Sequence, residues 1–158
     1  MTKTITPFLW FDGKAEEAAN FYVSVFKNSR INNIHRYGDA GPGAKGSVMT
    51  VEFELEDMRF VGLNGGPQYQ FTPAVSFAVN CETQAEIDEL WEKLTAGGRQ
   101  VQCGWLVDKF GVSWQIVPSG LVDLLTAKDP RKSQAAMQAM FGMKKLDIAV
   151  LRQAHDRA

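Results

Sequence analysis

Residues 5–26 read ITPFLWFDGKAEEAANFYVSVF, and they set the pattern of the whole chain. The apolar run from Ile5 to Phe11 ends at the turn dipeptide Asp12-Gly13, so this run predicts a strand. After the turn, apolar side chains recur at a helical spacing, on positions 15, 18, 19, 22, 25 and 26. Two glutamates stand in the first turn, where the helix dipole favours negative charge. The stretch therefore predicts a strand followed by a helix.

Three further strands are predicted after this helix. Residues 30–37 form the first, and a glycine-rich loop over 38–46 separates it from an alternating run at 48–55. A short acidic turn leads into another apolar run at 58–63, so the last two strands form a hairpin. The segment NGGP at 64–67 closes this first unit.

The same order of elements is written again from residue 74 onward. A strand at 74–80 precedes TQAE at 83–86, a capping box that opens a helix with one apolar face and a Gly-Gly stop. Short runs at 99–103, 105–108 and 112–117 predict three closing strands.

One offset of 69 positions (77 less 8) relates the two units, which indicates an internal repeat of a βαβββ unit. The pairs that this offset relates include Phe8 and Phe77, Tyr22 and Trp91, and Arg30 and Arg99.

A helical tail follows the second unit. Asp129 and Pro130 mark a helix start, because Asp caps a helix and Pro fits its first turn. We interpret the apolar side of this helix as packing on the chain's own core or on a second subunit, rather than as a ligand-facing methionine surface. That side is predicted to consist of Ala136, Met137, Met140 and Phe141.

The composition is that of an ordinary globular protein: 45% of the 158 residues are hydrophobic, 22% are charged, and the formal net charge is -1. This balance provides no basic surface for nucleic acid or for an anionic membrane, so we expect neither partner. No apolar run approaches the about 20 residues that span a bilayer, and the opening segment lacks the apolar stretch of a signal peptide. We therefore expect a cytoplasmic protein whose two cysteines, Cys81 and Cys103, are reduced.

Two segments, FDGKAEEAANFY at 11–22 and DKFGVSWQIV at 108–117, resemble the vicinal oxygen chelate superfamily of glyoxalases, bleomycin resistance proteins and dioxygenases. Within it, three segments are similar to the PhnB-like group: LNGGP at 63–67, CGWLVDKFGVSWQIVP at 103–118 and MKKLDIAVL at 143–151.

The resemblance implies an α+β fold in which two βαβββ modules pair into a half-open sheet with a concave ligand-binding face. We call residues 3–66 module one, residues 73–118 module two and residues 119–158 the tail. The resemblance also implies a homodimer, because half-open sheets of this kind generally close against a second copy.

The PhnB-like group often carries the label 3-demethylubiquinone-9 3-methyltransferase, and the residues argue against that activity. The nucleotide of a methyl donor is usually held by a glycine-rich turn between a strand and a helix. Here the glycine-rich stretch from Gly38 to Gly46 lies between two predicted strands. We therefore do not expect methyl transfer.

Enzymes of the superfamily generally hold one divalent metal on the first and last strands of both modules. Carried over residue by residue, the last-strand ligands fall on Gln115 and, when the prolines of LNGGP and WQIVP are aligned, on Asn64. The first-strand ligands fall on Ile5 and Ala74. Only two positions keep a donor, and neutral amides need carboxylates or imidazoles beside them to hold a divalent ion. Shifting each strand by two residues supplies neither, so we expect no metal and no cofactor.

A pocket, rather than a motif, is the candidate site. Its predicted lining combines aromatic and polar side chains, as small-molecule pockets do. Core packing is the alternative for each aromatic, Cys103 is interpreted as an inert thiol, and Asp108 as a turn former. The predicted ligand contacts are Trp10, Asn64, Cys103, Trp105, Trp114 and Gln115, with Phe53 as a further aromatic.

Two functions of different classes remain open from the sequence. The first is metal-independent binding of a small molecule of unidentified structure. The second is an enzyme of the vicinal oxygen chelate type, a metal-dependent lyase, isomerase or dioxygenase, whose catalytic residues the sequence does not identify.

Overall fold

The structure is a computed structural model that describes residues 3–158. The chain divides into two compact units, one ending at Phe71 and the other beginning at Thr72. The elements of the first unit are β1 (Phe8–Phe11), α1 (Ala15–Val25), β2 (Ser29–Arg36), β3 (Val48–Leu55) and β4 (Met58–Asn64).

The second unit repeats this order and then adds the tail. Its sheet and first helix comprise β5 (Ser76–Cys81), α2 (Gln84–Thr95), β6 (Arg99–Gln100), β7 (Trp105–Val107) and β8 (Ser113–Pro118). The tail contains α3 (Leu121–Leu125), α4 (Pro130–Phe141) and α5 (Ile148–Arg157). Among the helices of residues 3–158, none has the length and apolar character needed to cross a membrane.

Each unit contains one four-stranded mixed sheet, in the order β1-β4-β3-β2 in module one and β5-β8-β7-β6 in module two. The first and last strands of each module pair in parallel, and the other neighbours pair antiparallel. The predicted α+β fold of two βαβββ units followed by a helical tail is confirmed.

The core of module one is built by α1 against the middle of its sheet. The helix buries Ala15, Ala18 and Ala19, whose small side chains let the helix approach the strands closely. The Tyr22 ring stacks on the Phe53 ring of β3, with centroids 6.1 Å apart, and Phe53 stacks on Phe60 of β4 at 5.4 Å. These side chains form the buried sheet face that the apolar alternation of the sequence predicts.

In module two, α2 begins with the predicted cap. The Thr83 hydroxyl accepts a hydrogen bond from the Glu86 N–H (3.2 Å), and the Glu86 carboxylate accepts one from the N–H of Glu82 (2.9 Å). This return bond lands one residue earlier than a standard capping box places it. Of the predicted apolar face, Ile87, Trp91 and Leu94 are buried and Leu90 is half-buried.

Two predicted strands are shorter in the structure. The first begins at Phe8 rather than Ile5, because Pro7 has no N–H to give to a ladder and Ile5 is 97% exposed. The strand predicted at 99–103 ends at Gln100, because Cys103 has a φ of 59° and its N–H bonds outside the sheet.

The tail packs against module two as part of the same unit. The predicted helix start is confirmed: Asp129 caps α4 by accepting a hydrogen bond from the Arg131 N–H (3.0 Å). Of the predicted apolar side of α4, only Ala136 is fully buried, whereas Met137 and Phe141 are exposed. Leu146 and Leu151, which lie outside α4, are also fully buried side chains of the tail.

Backbone and side-chain bonds fasten the tail to the start of α2 and β7. The N–H groups of Cys103 and Gly104 donate to the carbonyls of Met143 (2.9 Å) and Lys144 (2.8 Å). At α2, the Gln84 amide donates to the Leu146 carbonyl (3.0 Å) and accepts from the first N–H of α5, at Ile148 (2.9 Å).

The Asp88 carboxylate completes this attachment. It lies 2.7 Å from the Lys145 ammonium and accepts a hydrogen bond from the Gln84 amide at 3.0 Å. The hydrogen bonds from Lys145 and Gln84 lower the pKa of Asp88, and burial opposes them only weakly.

Replacing Gln84 by alanine is expected to loosen α5 and to lower the free energy of unfolding by about 1 to 3 kcal/mol, because two hydrogen bonds across the attachment are lost. Hydrogen exchange at Ile148 and Leu151 reports the effect, and Gln138→Ala, at an exposed glutamine of α4, is the control. Unchanged exchange at Ile148 in the Gln84 variant contradicts the assigned attachment.

Candidate functional site

Each sheet has one face that packs on its helix and one face turned away from it. In module one, Leu9 and Phe11 are buried on the helix side, whereas Phe8 and Trp10 alternate to the other side. Successive side chains of a strand point to opposite faces, so the pairing register assigns each strand residue to a face. We call the side turned away from α1 or α2 the helix-free face of its module.

Module one carries a pocket of about 370 Å³ on its helix-free face. This volume is within the range of about 300 to 1,000 Å³ that small-molecule sites occupy. The pocket combines an apolar part with a charged part. Its lining includes Phe8 and Val61 together with Arg30, Glu52, Glu54 and Arg59.

The Glu54 carboxylate stands between two guanidinium groups in this pocket. Its two oxygens lie 3.2 Å from the Nε atoms of Arg30 and Arg59, which are its direct neighbours across β2 and β4. Burial raises the pKa of Glu54, but the Asn32 amide and the two arginines outweigh it and hold the pKa below its usual value. The carboxylate is therefore kept charged.

A bulge in β2 places Asn32 in the same pocket. The register with β3 runs from Ile31 opposite Phe53 to Asn33 opposite Glu52, so Asn32 is the extra residue. This charged cluster was not identified as a site from the sequence alone. One sequence pattern points to this cluster, namely the alternation of Glu52 and Glu54 with apolar residues on β3. The same alternation is also typical of a strand face that is simply exposed to solvent.

In module two, the structure brings two predicted site residues together. Trp105 of β7 stands directly opposite Gln115 of β8, and both are half-buried on the helix-free face. The Gln115 amide donates a hydrogen bond to the Ser76 hydroxyl of β5 (2.9 Å). The Gln115 side chain is therefore held in place across the sheet beside an indole ring.

Ser113 lies on the same face, two residues before Gln115. Its hydroxyl is buried and has no hydrogen-bond partner among residues 3–158. Buried polar groups without a partner are rare in folded proteins, and each one calls for an explanation.

Trp114 is on the opposite face, in the core of module two. It is 3% exposed, and its indole N–H donates to the Asp108 carboxylate at 2.9 Å. The same carboxylate accepts the N–H groups of Phe110 (2.8 Å) and Val112 (3.1 Å), which supports the interpretation of Asp108 as a turn former. The expectation that Trp114 lines the ligand face is corrected: β8 turns its ring toward the core.

The Asn64 side chain forms hydrogen bonds within the fold and does not lie on the helix-free face. Its side-chain oxygen accepts the N–H of Ala15 (2.9 Å) at the start of α1, where Lys14 provides no side-chain cap. Its amide donates to the Val48 carbonyl (3.1 Å). Both ends of the side chain are therefore engaged, and the expectation of a free ligand-binding amide is corrected.

The remaining predicted contacts belong to other elements than the strands β7 and β8 that carry Trp105 and Gln115. Trp10 is half-buried on the helix-free face of module one, where its indole N–H donates to the Gly66 carbonyl (2.9 Å) and its ring meets Tyr69 edge-to-face. Cys103 is half-buried in the turn before β7. Phe53, the further aromatic, belongs to the core stack of module one.

The pairing register shows which residues of the modules correspond. Val61 stands opposite Phe8, and Gln115 stands opposite Ala78. The first strands end at Phe11 and Cys81, 70 positions apart (81 less 11), and the last strands end at Asn64 and Pro118, 54 apart (118 less 64). Phe8 therefore corresponds to Ala78, and Val61 to Gln115. The proline alignment, which paired Asn64 with Gln115, is three residues off, and an odd shift turns a side chain to the other face.

These corrected positions do not fit a divalent ion of the glyoxalase type. In module two, Gln115 has Ala78 as its register neighbour and Ser76 as its hydrogen-bond partner, and in module one the corresponding Phe8 and Val61 have no donor. One neutral amide and one hydroxyl do not replace the hydration shell of a divalent ion. The originally mapped positions Ile5 and Ala74 lie before their strands.

Other candidate ligands and nucleophiles are dispersed. Within residues 3–158, no three His, Cys, Asp or Glu side chains come together as a metal-binding group. His35 is exposed on β2, 3.9 Å from Glu52, whereas His155 is largely buried beside Asp156. Burial and the Glu86 charge raise the pKa of the Cys81 thiol to about 11, so this thiol is unreactive.

The family model described as 3-demethylubiquinone-9 3-methyltransferase matches residues 3–117. A PhnB protein of Bacillus cereus, described as a putative 3-demethylubiquinone-9 3-methyltransferase, is 42% identical with a TM-score of 0.68. The match covers 74% of this chain and 100% of the Bacillus chain. The tail lies beyond the residues that the family model matches.

Two more distant structures share the fold. A Pseudomonas aeruginosa protein is 20% identical with a TM-score of 0.63, over 74% of this chain and 98% of its own. The fosfomycin resistance protein of Mesorhizobium loti is 13% identical with a TM-score of 0.51, over 73% and 90%. No match is found among the curated proteins.

Replacing Asn64 by alanine is expected to lower the free energy of unfolding by about 1 to 3 kcal/mol, because the α1 N–H and the β3 carbonyl lose their partner. Denaturant unfolding measures the change. Asn80→Ala, at an exposed asparagine of β5, serves as the matched control. A stable Asn64 variant would show that this side chain is free for a ligand after all.

Proposed function

This chain belongs to the 3-demethylubiquinone-9 3-methyltransferase family of PhnB-like proteins, and we propose that it binds a small molecule on its helix-free sheet surface without a metal. The observation that carries the proposal is the row on module two in which Trp105, Gln115 and the unpartnered Ser113 lie together. The family name describes relatives, and the proposal for this chain is based on its own residues.

The polar groups of this row have bonding capacity that the chain leaves unused. The Gln115 amide donates to Ser76, but its side-chain oxygen has no partner among residues 3–158. A buried hydroxyl without a partner, such as that of Ser113, costs about 1 to 3 kcal/mol. A ligand that hydrogen-bonds to the oxygen of the half-buried Gln115 side chain uses this capacity while its apolar body contacts Trp105.

The donor set supports binding without a metal. Gln115 and its partner Ser76 are neutral, and within residues 3–158 no three His, Cys, Asp or Glu side chains come together beside them or elsewhere. A substrate that relies on chelation by a divalent ion would lack it here, so we assign recognition to hydrogen bonds and apolar contact. The free cysteines suit the cytoplasm, where we place the protein.

The topology also supports binding over methyl transfer. The glycine-rich residues 38–46 connect β2 to β3, so they do not form a strand-to-helix phosphate cradle. Each described sheet is a four-stranded mixed sheet rather than a doubly wound parallel one.

A thermal-shift screen of metabolites and aromatic compounds tests this proposal, since a ligand at about 100 times its dissociation constant adds about 2.7 kcal/mol of stability. For any compound found, Gln115→Leu is expected to lower affinity by up to about tenfold, because one hydrogen bond is lost at similar side-chain volume. Ser113→Ala is expected to stabilise the free protein by about 1 kcal/mol, because it removes a buried hydroxyl that has no partner.

Gln100→Leu, at an exposed glutamine of β6, is the control and should leave affinity unchanged. Two results contradict the proposal: a screen without any stabilising compound, or a ligand whose affinity is the same in the folded Gln115→Leu variant.

We also propose that the protein is a homodimer whose contact includes the tail. The tail exposes three large apolar side chains, and we infer that a second copy of the chain covers them. They are Val122 on α3 (69%), Phe141 on α4 (58%) and Val150 on α5 (45%). A two-fold pair is also the commonest assembly of globular proteins.

Light scattering at micromolar concentration is expected to give twice the 17.6 kDa chain mass. Phe141→Glu is expected to shift the mass toward the single chain, because a buried charge in an apolar contact is unfavourable. Glu92→Gln, at an exposed residue of α2, is the control. A single-chain mass for the unaltered protein contradicts the dimer.

A further inference from the structure

The charged pocket of module one contains arginines and glutamates, whereas the Trp105 and Gln115 row contains no charged side chain. The pocket therefore suits a different class of ligand. Arg30 and Arg59 approach Glu54 from the two neighbouring strands, each through its Nε atom. The Nη groups of both arginines have no partner among residues 3–158. Four N–H bearing nitrogens are therefore available on two guanidinium groups at one rim.

Glu54 fixes where these guanidinium groups stand. Its side chain is only 18% exposed, whereas those of Arg30 and Arg59 are 70% and 74% exposed. One carboxylate balances one of the two positive charges. Glu52, the other acidic residue of the lining, is 3.9 Å from His35 and is the neighbour of Val61 rather than of Arg59. The lining as a whole carries two guanidinium groups and two carboxylates, but no carboxylate among residues 3–158 bonds to the Nη groups of Arg30 and Arg59, so these N–H donors remain at the rim.

The pocket also offers an apolar surface beside this rim. The large aromatic side chain of Phe8 is 61% exposed, and Val61, its partner in the pairing register, lies next to it on β4. Both line the same pocket as the arginines. A molecule that fills the space therefore meets guanidinium groups at one end and hydrocarbon at the other.

Module two does not repeat this arrangement at the corresponding positions. Arg99 stands opposite Val107, which stands opposite Ser113, so neither a central carboxylate nor a second arginine is present. The βαβββ architecture therefore does not require the Arg30, Glu54 and Arg59 triad. A ladder of ion pairs that only stabilises the hairpin is the alternative that a test must separate.

We propose that this pocket binds a small organic oxyanion, held by Arg30 and Arg59, with its apolar body against Phe8 and Val61. Guanidinium groups bind carboxylates and phosphates through paired, charge-assisted hydrogen bonds, and Glu54 keeps both groups oriented before the ligand arrives. The carboxylate and the phosphate monoester share this chemistry. The proposed site uses none of the residues of the row on module two, so it is tested independently of that row.

Titration of ¹⁵N-labelled protein with benzoate, phenyl phosphate and uncharged benzamide tests the proposal. The amide signals of Asn32, Glu52 and Val61 are expected to shift with a dissociation constant on the order of millimolar for at least one anion, given the small size of the probes. Benzamide is expected to bind at least about tenfold more weakly, because it lacks the charge that the guanidinium groups recognise. The stronger of the two anions identifies the preferred oxyanion.

Arg30→Gln and Arg59→Gln are each expected to weaken the anion by about tenfold, whereas Arg99→Gln, at the corresponding position of module two, should not change it. Thermal unfolding of each variant confirms that it is folded. Three results overturn the proposal: neither anion shifts these signals, benzamide binds as well as both anions, or the folded arginine variants bind like the unaltered protein.

The outcomes also separate this site from the proposed function. A ligand that depends on Gln115 but not on the arginines leaves the metal-independent binding row intact and overturns the oxyanion site. An anion that depends on the arginines alone supports the oxyanion site and leaves the row on module two to its own test.

Discussion

One helix covers one face of each four-stranded sheet, and this constraint divides every strand into core positions and helix-free positions. In module one, α1 buries Tyr22 against Phe53 and Phe60, so the alternate residues of β3 and β4 point away from the helix. In module two, Leu106 and Ile116 take the core side. Because side chains alternate with a period of two, chemistry is available only at the remaining positions.

The local patterns of the sequence predicted the order of elements well, because strand alternation, the Thr83 cap and the Asp129-Pro130 start depend on neighbours along the chain. The face of a side chain depends on pairing register and was not predictable in the same way. Three residues link β1 to α1, but only two link β5 to α2. The repeat is therefore 69 positions in the helices and 70 in the first strands, which changes the parity of every alignment carried across.

For the candidate site, too, contacts between neighbouring segments were easier to predict than contacts that depend on the pairing of distant strands. Trp105 and Gln115 were both named from the sequence, and they stand opposite each other because β7 and β8 are neighbouring antiparallel strands. The Arg30, Glu54 and Arg59 cluster was missed, since only the pairing of three strands places these charges in one row. The attachment of the tail through Gln84 was missed for a related reason: its partners lie more than 60 positions away.

Metal-independent recognition of a small molecule by the helix-free faces can be checked by calorimetric titration of the chelator-treated protein with zinc, nickel and manganese ions. No saturable binding is expected, because Gln115 and Ser76 are neutral and no three His, Cys, Asp or Glu side chains come together within residues 3–158. Stoichiometric binding of one of these ions that is lost in Gln115→Leu would contradict metal-independent recognition.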